Sequence, residues 1–225
     1  MREIVLDTET TGLDPKTGDR IVEIGAVELF NHMPTGKTYH QYINPQRDMP
    51  AGAFAVHGLS AEFLSDKPLF PAIAQKFLDF VGDSKMVIHN ASFDMKFLNA
   101  ELKWCERPLL PMAQALDTLE IARRKYPGAQ NSLDALCRRF GIDNSARTLH
   151  GALLDSEILA EVYLELIGGR QPDFVLSVVS DNSQSGTSGD FKASRRPKPL
   201  PNRLSETEIA DHDAFIKALD GDNIW

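Results

Sequence analysis

The chain has 225 residues and an apolar fraction of 42%, long enough for one well-packed domain plus an appendage. Its formal net charge of −8 argues against a protein that grips DNA alone through a broad basic surface, but leaves room for an enzyme that holds a short strand end through metals and pocket contacts while a partner carries most of the affinity. No run approaches 18 consecutive apolar residues, Met1-Arg2-Glu3-Ile4 lacks the apolar stretch of a secretory signal, and Cys105 and Cys137 form no metal-like pair, so the expectation is a cytoplasmic protein without a membrane partner.

Ile4 to Glu9 alternates as a strand, with Ile4, Leu6 and Thr8 on one face and Val5, Asp7 and Glu9 on the other. Thr11 to Gly18 is a turn region. Ile21 to Phe30 reads as a second strand and Tyr39 to Ile43 as a third, ended by Asn44-Pro45. Pro71 to Phe80 is helical, with Pro71 tolerated in the first turn. Met86 to Ile88 is a short strand leading into His89-Asn90, and Phe93 to Trp104 has apolar residues at helical spacing. Ser132 to Phe140 is a capped helix stopped by Gly141, and a longer helix runs from about Gly151 to Ile167. This order predicts an α/β fold with a mixed sheet flanked by helices, ending near Gly169.

The remainder differs in composition. Ser177 to Arg196 is rich in Ser, Gly, Asp and Lys and reads as a flexible linker, and Pro197 to Pro201 as a stiffer spacer. Thr207 to Leu219 could form a helix, with Ile209, Phe215, Ile216 and Leu219 as its apolar contacts. So short a unit cannot bury a core of its own; it docks on a partner or folds back on the domain. The expected divisions are 1–170, 171–201 and 202–225.

Asp7 and Glu9, two apart on one strand, send both carboxylates to the same side near the strand's C-terminal end, where open α/β sheets place ligands. Two adjacent carboxylates repel, and hard divalent cations with a preference for oxygen relieve that repulsion. Asp7-Thr8-Glu9-Thr10-Thr11-Gly12, His89-Asn90-Ala91-Ser92-Phe93-Asp94 and His150-Gly151-Ala152-Leu153-Leu154-Asp155 resemble, in order and spacing, the three motifs of the DnaQ-like exonucleases, the DEDD superfamily with histidine in its third motif. The resemblance covers about residues 1–170 and implies a ribonuclease H-like fold. Within the family it points to the epsilon proofreading subunits of bacterial DNA polymerase III.

The resemblance implies that Asp7, Glu9, Asp94 and Asp155 bind two Mg²⁺ or Mn²⁺ ions and that His150 is the general base, in a 3′→5′ exonuclease acting on DNA 3′ ends. Two ions about 4 Å apart can activate water, relieve charge on the phosphate and steady the leaving oxygen, and an imidazole titrating near neutrality suits the water's proton. Within a helix, five residues separate two side chains by about 140°, so His150 belongs on a loop or at the helix start and Asp155 on the helix. An RNA-processing relative would share these motifs, but such enzymes usually lack a long linker with a terminal docking segment.

Other residues follow from the same resemblance. Thr8 and Thr10 flank the acids, Thr10 as a contact to the 3′-hydroxyl, and Leu13 is the candidate wedge against bases. His57, in Val56-His57-Gly58-Leu59, either lines the nucleotide site or stabilises its loop. His89, Asn90 and Phe93 shape the strand path, though Phe93 also reads as core. Asp117 reads as a helix cap. Arg123-Arg124-Lys125 and Arg138-Arg139 are either solvated helix faces or phosphate contacts. Arg170 to Leu176 resembles the peptides that dock on the bacterial sliding clamp, with Gln171 hydrogen-bonding and Phe174 and Leu176 burying apolar area; an ordinary linker stretch is the other reading. The tail 202–225 implies docking on the polymerase III alpha subunit.

Overall fold

A computed structural model of the chain describes residues 1–145, 147, 149–169 and 205–218. It divides into two units, Met1–Val175 and Leu176–Trp225. The expected linker and its Gln171, Phe174 and Leu176 lie outside the described residues, as do residues 202–204 and 219–225 of the tail.

The first unit opens with β1 (Arg2–Thr10), β2 (Ile21–Phe30) and β3 (Met33–Tyr42), followed by α1 (Ala51–His57), α2 (Ala61–Leu64) and α3 (Phe70–Val81). Then come β4 (Lys85–Ile88), α4 (Ala91–Trp104), β5 (Ala115–Asp117), α5 (Thr118–Lys125), α6 (Leu133–Phe140) and α7 (Ala152–Leu166). Among the described residues five strands form one sheet, ordered β3-β2-β1-β4-β5. β1 pairs antiparallel with β2 and parallel with β4, and β4 is parallel to β5. The mixed sheet flanked by helices is therefore as expected.

Central β1 is apolar on both faces because both are covered. Ile4 and Leu6 enter a core with Phe77 of α3 and Phe97 of α4, while Val5 meets Leu159 and Tyr163 of α7 across the sheet. Local signals set the helix ends. Pro71 sits in the first turn of α3, where its missing N–H has no intrahelical partner to lose. The Ser132 hydroxyl accepts from the Ala135 amide at 3.3 Å to open α6, and Gly141 closes it with φ 68°.

The four-residue α2 has no counterpart in the sequence expectation, and three further elements depart from it. β3 starts at Met33, six residues before Tyr39. Pro34 and Gly36 disfavour a strand interior, but β3 is an edge strand, where a residue without an N–H is tolerated. The helix α1 has no side-chain cap and includes Gly52, and β5 is only three residues long; neither is long enough to show a period.

In the second unit, described by itself, α8 spans Glu206–Ala218, one residue ahead of the expected helix. Ser205 and Glu208 form a reciprocal cap: the Ser205 amide donates to Glu208 Oε2 at 2.8 Å, and the Glu208 amide donates to Ser205 Oγ at 3.3 Å.

One close approach fixes the helix that matters most for the site. A Cβ on Gly25 of β2 would lie 2.1 Å from the backbone of Ala152 and Leu153. The first turn of α7 thus rests on bare β2 backbone, and the buried Ser156 hydroxyl donates to Gly25 O at 2.9 Å. Gly25→Ala forces the helix off the strand and should lower stability by about 3 kcal/mol. Gly52→Ala, whose new methyl meets open space, is the control. Urea midpoints of the two variants check this, and equal midpoints would show that α7 does not depend on the contact.

Candidate active site

The parallel pairing of β1 with β4 brings both C-terminal ends to the same edge of the sheet, and each functional side chain reaches that edge from a different element. Asp7 and Glu9 stand at the end of β1. Past β4 the chain turns through Asn90, at φ 66°, and enters α4 with Asp94 in its first turn. Asp117 caps α5, accepting from the Leu119 amide at 2.9 Å, and also accepts from the Asn90 amide at 3.1 Å, which ties the two helix starts together. Asp155 projects from the first turn of α7, the turn seated on Gly25. His150 precedes the Gly151 N-cap on an exposed loop and is held by its amide to Val56 O at 3.1 Å.

These residues share a cleft of about 740 Å³, lined by Asp7, Thr8, Glu9, Asp94, His150 and Asp155 at one end. Asp94 and Asp155 are 3% exposed and Glu9 8%, whereas Asp7, crowded on the cleft floor, keeps some accessible surface. Burial raises Asp7 well above the usual carboxylate range, with Asp94, Glu9 and Asp155 adding repulsion. Burial also lifts Glu9 to about 8, helped by Asp155 and Glu23. Asp94 rises to about 7 through burial, against the Thr8 hydroxyl that donates to it at 2.7 Å. Asp155 goes the other way: burial opposes ionisation, but its contacts with His150 and Arg147 hold it below the ordinary range.

Such a set is ready for cations. Ligand atoms of Glu9, His150 and Asp155 all lie within 4.8 Å of one another, and every neighbouring carboxylate raises the cost of leaving Asp7 and Glu9 charged without one. Oxygen donors with one imidazole suit Mg²⁺ or Mn²⁺.

The other expected contacts divide. Thr8, His89, Asn90 and Phe93 line the cleft, and Phe93 also packs against the core beneath. The Thr8 hydroxyl is taken by Asp94, and His89 Nδ1 lies 2.9 Å from Thr118 Oγ1. Thr10, Leu13 and His57 are not among the cleft-lining residues. The Thr10 hydroxyl donates to Gly12 O at 2.6 Å, so its side chain is spent on the turn. Leu13 is 79% exposed. His57 is buried, its Nδ1 accepting from the Leu59 amide at 3.0 Å, and its Nε2 has no hydrogen-bond partner among the described residues. Of the basic clusters, Arg123 lines the cleft, while Arg139 lies over the Tyr126 ring at 4.2 Å.

The sequence reading missed Arg147. Its guanidinium grips Asp155, donates to Asp134 at 2.7 Å and meets His150 Nδ1 at 2.7 Å. A single arginine in a polar loop has no spacing signature; only its place three residues before His150 could have drawn notice.

A protein-family model described as "Exonuclease" matches residues 4–163. The DNA polymerase III subunit epsilon of Rickettsia conorii is 60% identical over 222 residues, covering 97% of this chain and 96% of that protein. The subunit of the same name from Escherichia coli K12 is 41% identical over 235 residues, covering 100% of this chain and 97% of its own. Among solved structures, exonuclease X in complex with 5′-overhanging duplex DNA is 27% identical, with a TM-score of 0.58 over 73% of this chain and 90% of that one. The nuclease domain of 3′hExo, a DEDDh family member bound to rAMP, shares the fold, with a TM-score of 0.64 at 21% identity over 74% of this chain and 91% of its own. The chain belongs to the exonuclease family, in the branch of the DNA polymerase III epsilon subunits, the metal-dependent 3′→5′ proofreading exonucleases of that polymerase.

Proposed function

We propose that Asp7, Glu9, Asp94 and Asp155 together hold two Mg²⁺ or Mn²⁺ ions, with His150 as general base, and that this site removes the 3′-terminal nucleotide of DNA as a deoxynucleoside 5′-monophosphate. The observation that carries the reading is the convergence of four carboxylates from β1, α4 and α7, with one imidazole, on a single cleft. The bound ions supply Lewis-acid activation of water and charge relief on the phosphate and leaving oxygen.

The rest falls to the chain. The Thr8 hydroxyl orients Asp94, and the Gly25 contact orients Asp155. His150 sits on a loop with room to reach the water from the solvent side and take its proton. His57, buried outside the cleft lining with Nδ1 accepting from the Leu59 amide and its ring beside the Thr10 backbone, is the remaining candidate for holding the loop that meets the terminal nucleotide. Selection of mispaired ends is indirect: a mismatch melts more easily, and the cleft takes the single-stranded end. Residues 202–225 dock on the polymerase III alpha subunit; the exposed apolar side chains of Ile209 and Phe215 on α8 support this. Gln171, Phe174 and Leu176 form a sliding-clamp contact, and the assembly works in the cytoplasm. No helix among the described residues is long and apolar enough to cross a membrane.

Single-stranded DNA and RNA labelled at the 5′ end, digested with Mg²⁺ or EDTA, test the reading. A descending DNA ladder that needs metal is expected, with His150→Ala slower by about 10²–10⁴-fold and Asp7→Ala at least as impaired. A stronger RNA ladder would move the chain to RNA processing.

The electrostatics give a second expectation. Glu9 and Asp94 hold protons more tightly in the folded protein than unfolded, so folded chains bind excess protons between about pH 4 and 8. With Asp7 acting in the same direction, stability of EDTA-treated protein should therefore fall as pH rises through that window, partly offset by His57 and His89, whose lowered values make the folded chain bind fewer protons there. Asp155, with its lowered value, acts only below it. Added Mn²⁺ should flatten the fall. Melting curves at pH 5, 6.5 and 8 check this; a metal-independent slope would count against the four carboxylates as ligands.

A further inference from the structure

The cleft is longer than removal of one nucleotide requires. A mononucleotide is a ligand of drug size, and pockets for such ligands begin at about 300 Å³, whereas this cleft holds about 740 Å³. Its acids stand around the end of β1. From there the lining continues to Leu119 and Arg123 of α5 and to Gly128, Ala129 and Asn131 of the loop before α6. Because α5 follows β5, two strands along the sheet from β1, this second end begins about 10 Å from Asp7 and Glu9 at the usual spacing of strands.

That end is a fixed wall with a cation beside it. The Asn131 side chain, 8% exposed, donates to Tyr126 O at 3.4 Å and to Ala129 O at 3.0 Å, which closes the loop on itself. Arg139 of α6 pins the loop: it lies over the Tyr126 ring at 4.2 Å, and its Nη1 donates to Asn131 Oδ1 at 3.4 Å. Gly128, at φ 77°, presents no side chain, and a Cβ there would meet open space. Arg139 is thus occupied in holding the wall. Arg123 is exposed, and among the described residues it makes no ion pair and no side-chain hydrogen bond. Its charge reaches into the cleft: His89, held low first by burial, is lowered further by Arg123. The planar fork of a guanidinium matches a phosphate.

From this arrangement we infer that the α5 end of the cleft is a subsite for the penultimate nucleotide, in which Arg123 holds the phosphate on that nucleotide's 5′ side and the bare backbone at Gly128 leaves room for its sugar. The inference rests on the proposed hydrolysis of DNA 3′ ends at the acids. With the scissile phosphate held there, the next phosphate along the strand is the nearest anion that a guanidinium based two strands away can meet. A contact to backbone phosphate positions the strand without reading its bases, and the side chains of Leu119 and Ala129 bring no hydrogen-bonding group to a base edge. The subsite also senses length: a dinucleotide without a 5′-phosphate offers Arg123 nothing.

The test is hydrolysis of two thymidine dinucleotides by the full chain with Mn²⁺, one with a 5′-phosphate and one without. The readout is the ratio of their kcat/KM values. The phosphorylated dinucleotide should be favoured by on the order of ten-fold, the share of one charge-assisted hydrogen bond. Arg123→Gln should bring the ratio close to one, and Arg123→Lys, which keeps the charge but loses the fork, should fall between. Arg124→Gln removes the same charge one residue away, outside the cleft lining, and should keep the full ratio. A ratio close to one in the unaltered chain, or a full ratio in Arg123→Gln, would overturn the subsite. So would cleavage of a long single strand but of neither dinucleotide, since binding would then depend on contacts further along. Should Arg123→Gln misfold, the salt dependence of the unaltered chain decides: the advantage of the 5′-phosphate should shrink as salt rises, and a salt-independent ratio rules out the phosphate contact. Failure to cleave any single-stranded DNA, long or short, removes the proposed reaction itself and the subsite with it.

Discussion

Everything in this fold answers to one constraint: four carboxylates are held close together at one end of a sheet, where burial works against the charge of each and contacts with Arg147 and His150 keep Asp155 below the ordinary range. Left unrelieved, that arrangement favours protonation or separation. The scaffold prevents separation. Asp7 and Glu9 are fixed by the central strand, paired on both sides; Asp94 by a helix start tied to Asp117 and Thr8; Asp155 by a helix pressed on bare backbone at Gly25. Unable to disperse, the acids favour any cation that can reach them. A single built-in cation, Arg147, answers part of that demand; on the proposed reading, divalent ions answer the rest.

Rigidity is not distributed evenly around the site. The acids come from β1 and from the first turns of α4 and α7, whereas His150 comes from a loop fastened by one backbone hydrogen bond to Val56. That division suits the chemistry assigned to each. Ligands must hold a fixed geometry, and small misplacements are costly. A base that first receives and then sheds a proton needs room to turn towards solvent.

How much of this the sequence could disclose depended on whether the signal was local. The Asp7/Glu9 pairing follows from the two-residue period of a strand, and the loop position of His150 from the angular spacing of a helix. Ser132 and Gly141 announce both ends of α6 because caps act within one turn. The first residues of β3 include Pro34 and Gly36, which disfavour a strand unless it is known to lie at an edge. The three-residue β5 exists only through pairing with β4, and so leaves no period to read. Gly25 and Arg147 were invisible for a related reason. One matters through a helix more than a hundred residues away, the other through an ion-pair fork that only tertiary structure assembles.

The acidity of the chain then bears on how such a site can be put to use. A net charge of −8 repels a phosphate backbone, and the cleft offers Arg123 and Arg147 against five carboxylates. An exonuclease with a strong grip of its own would attack paired and unpaired ends alike. A weak grip makes cleavage depend on delivery. If the terminal segment docks on the polymerase as proposed, that tethering sets an effective concentration of DNA ends around the cleft that the surface alone could not reach. Discrimination is then left to melting of the end, a property of the DNA, and the protein need only present a cleft that accepts a single strand.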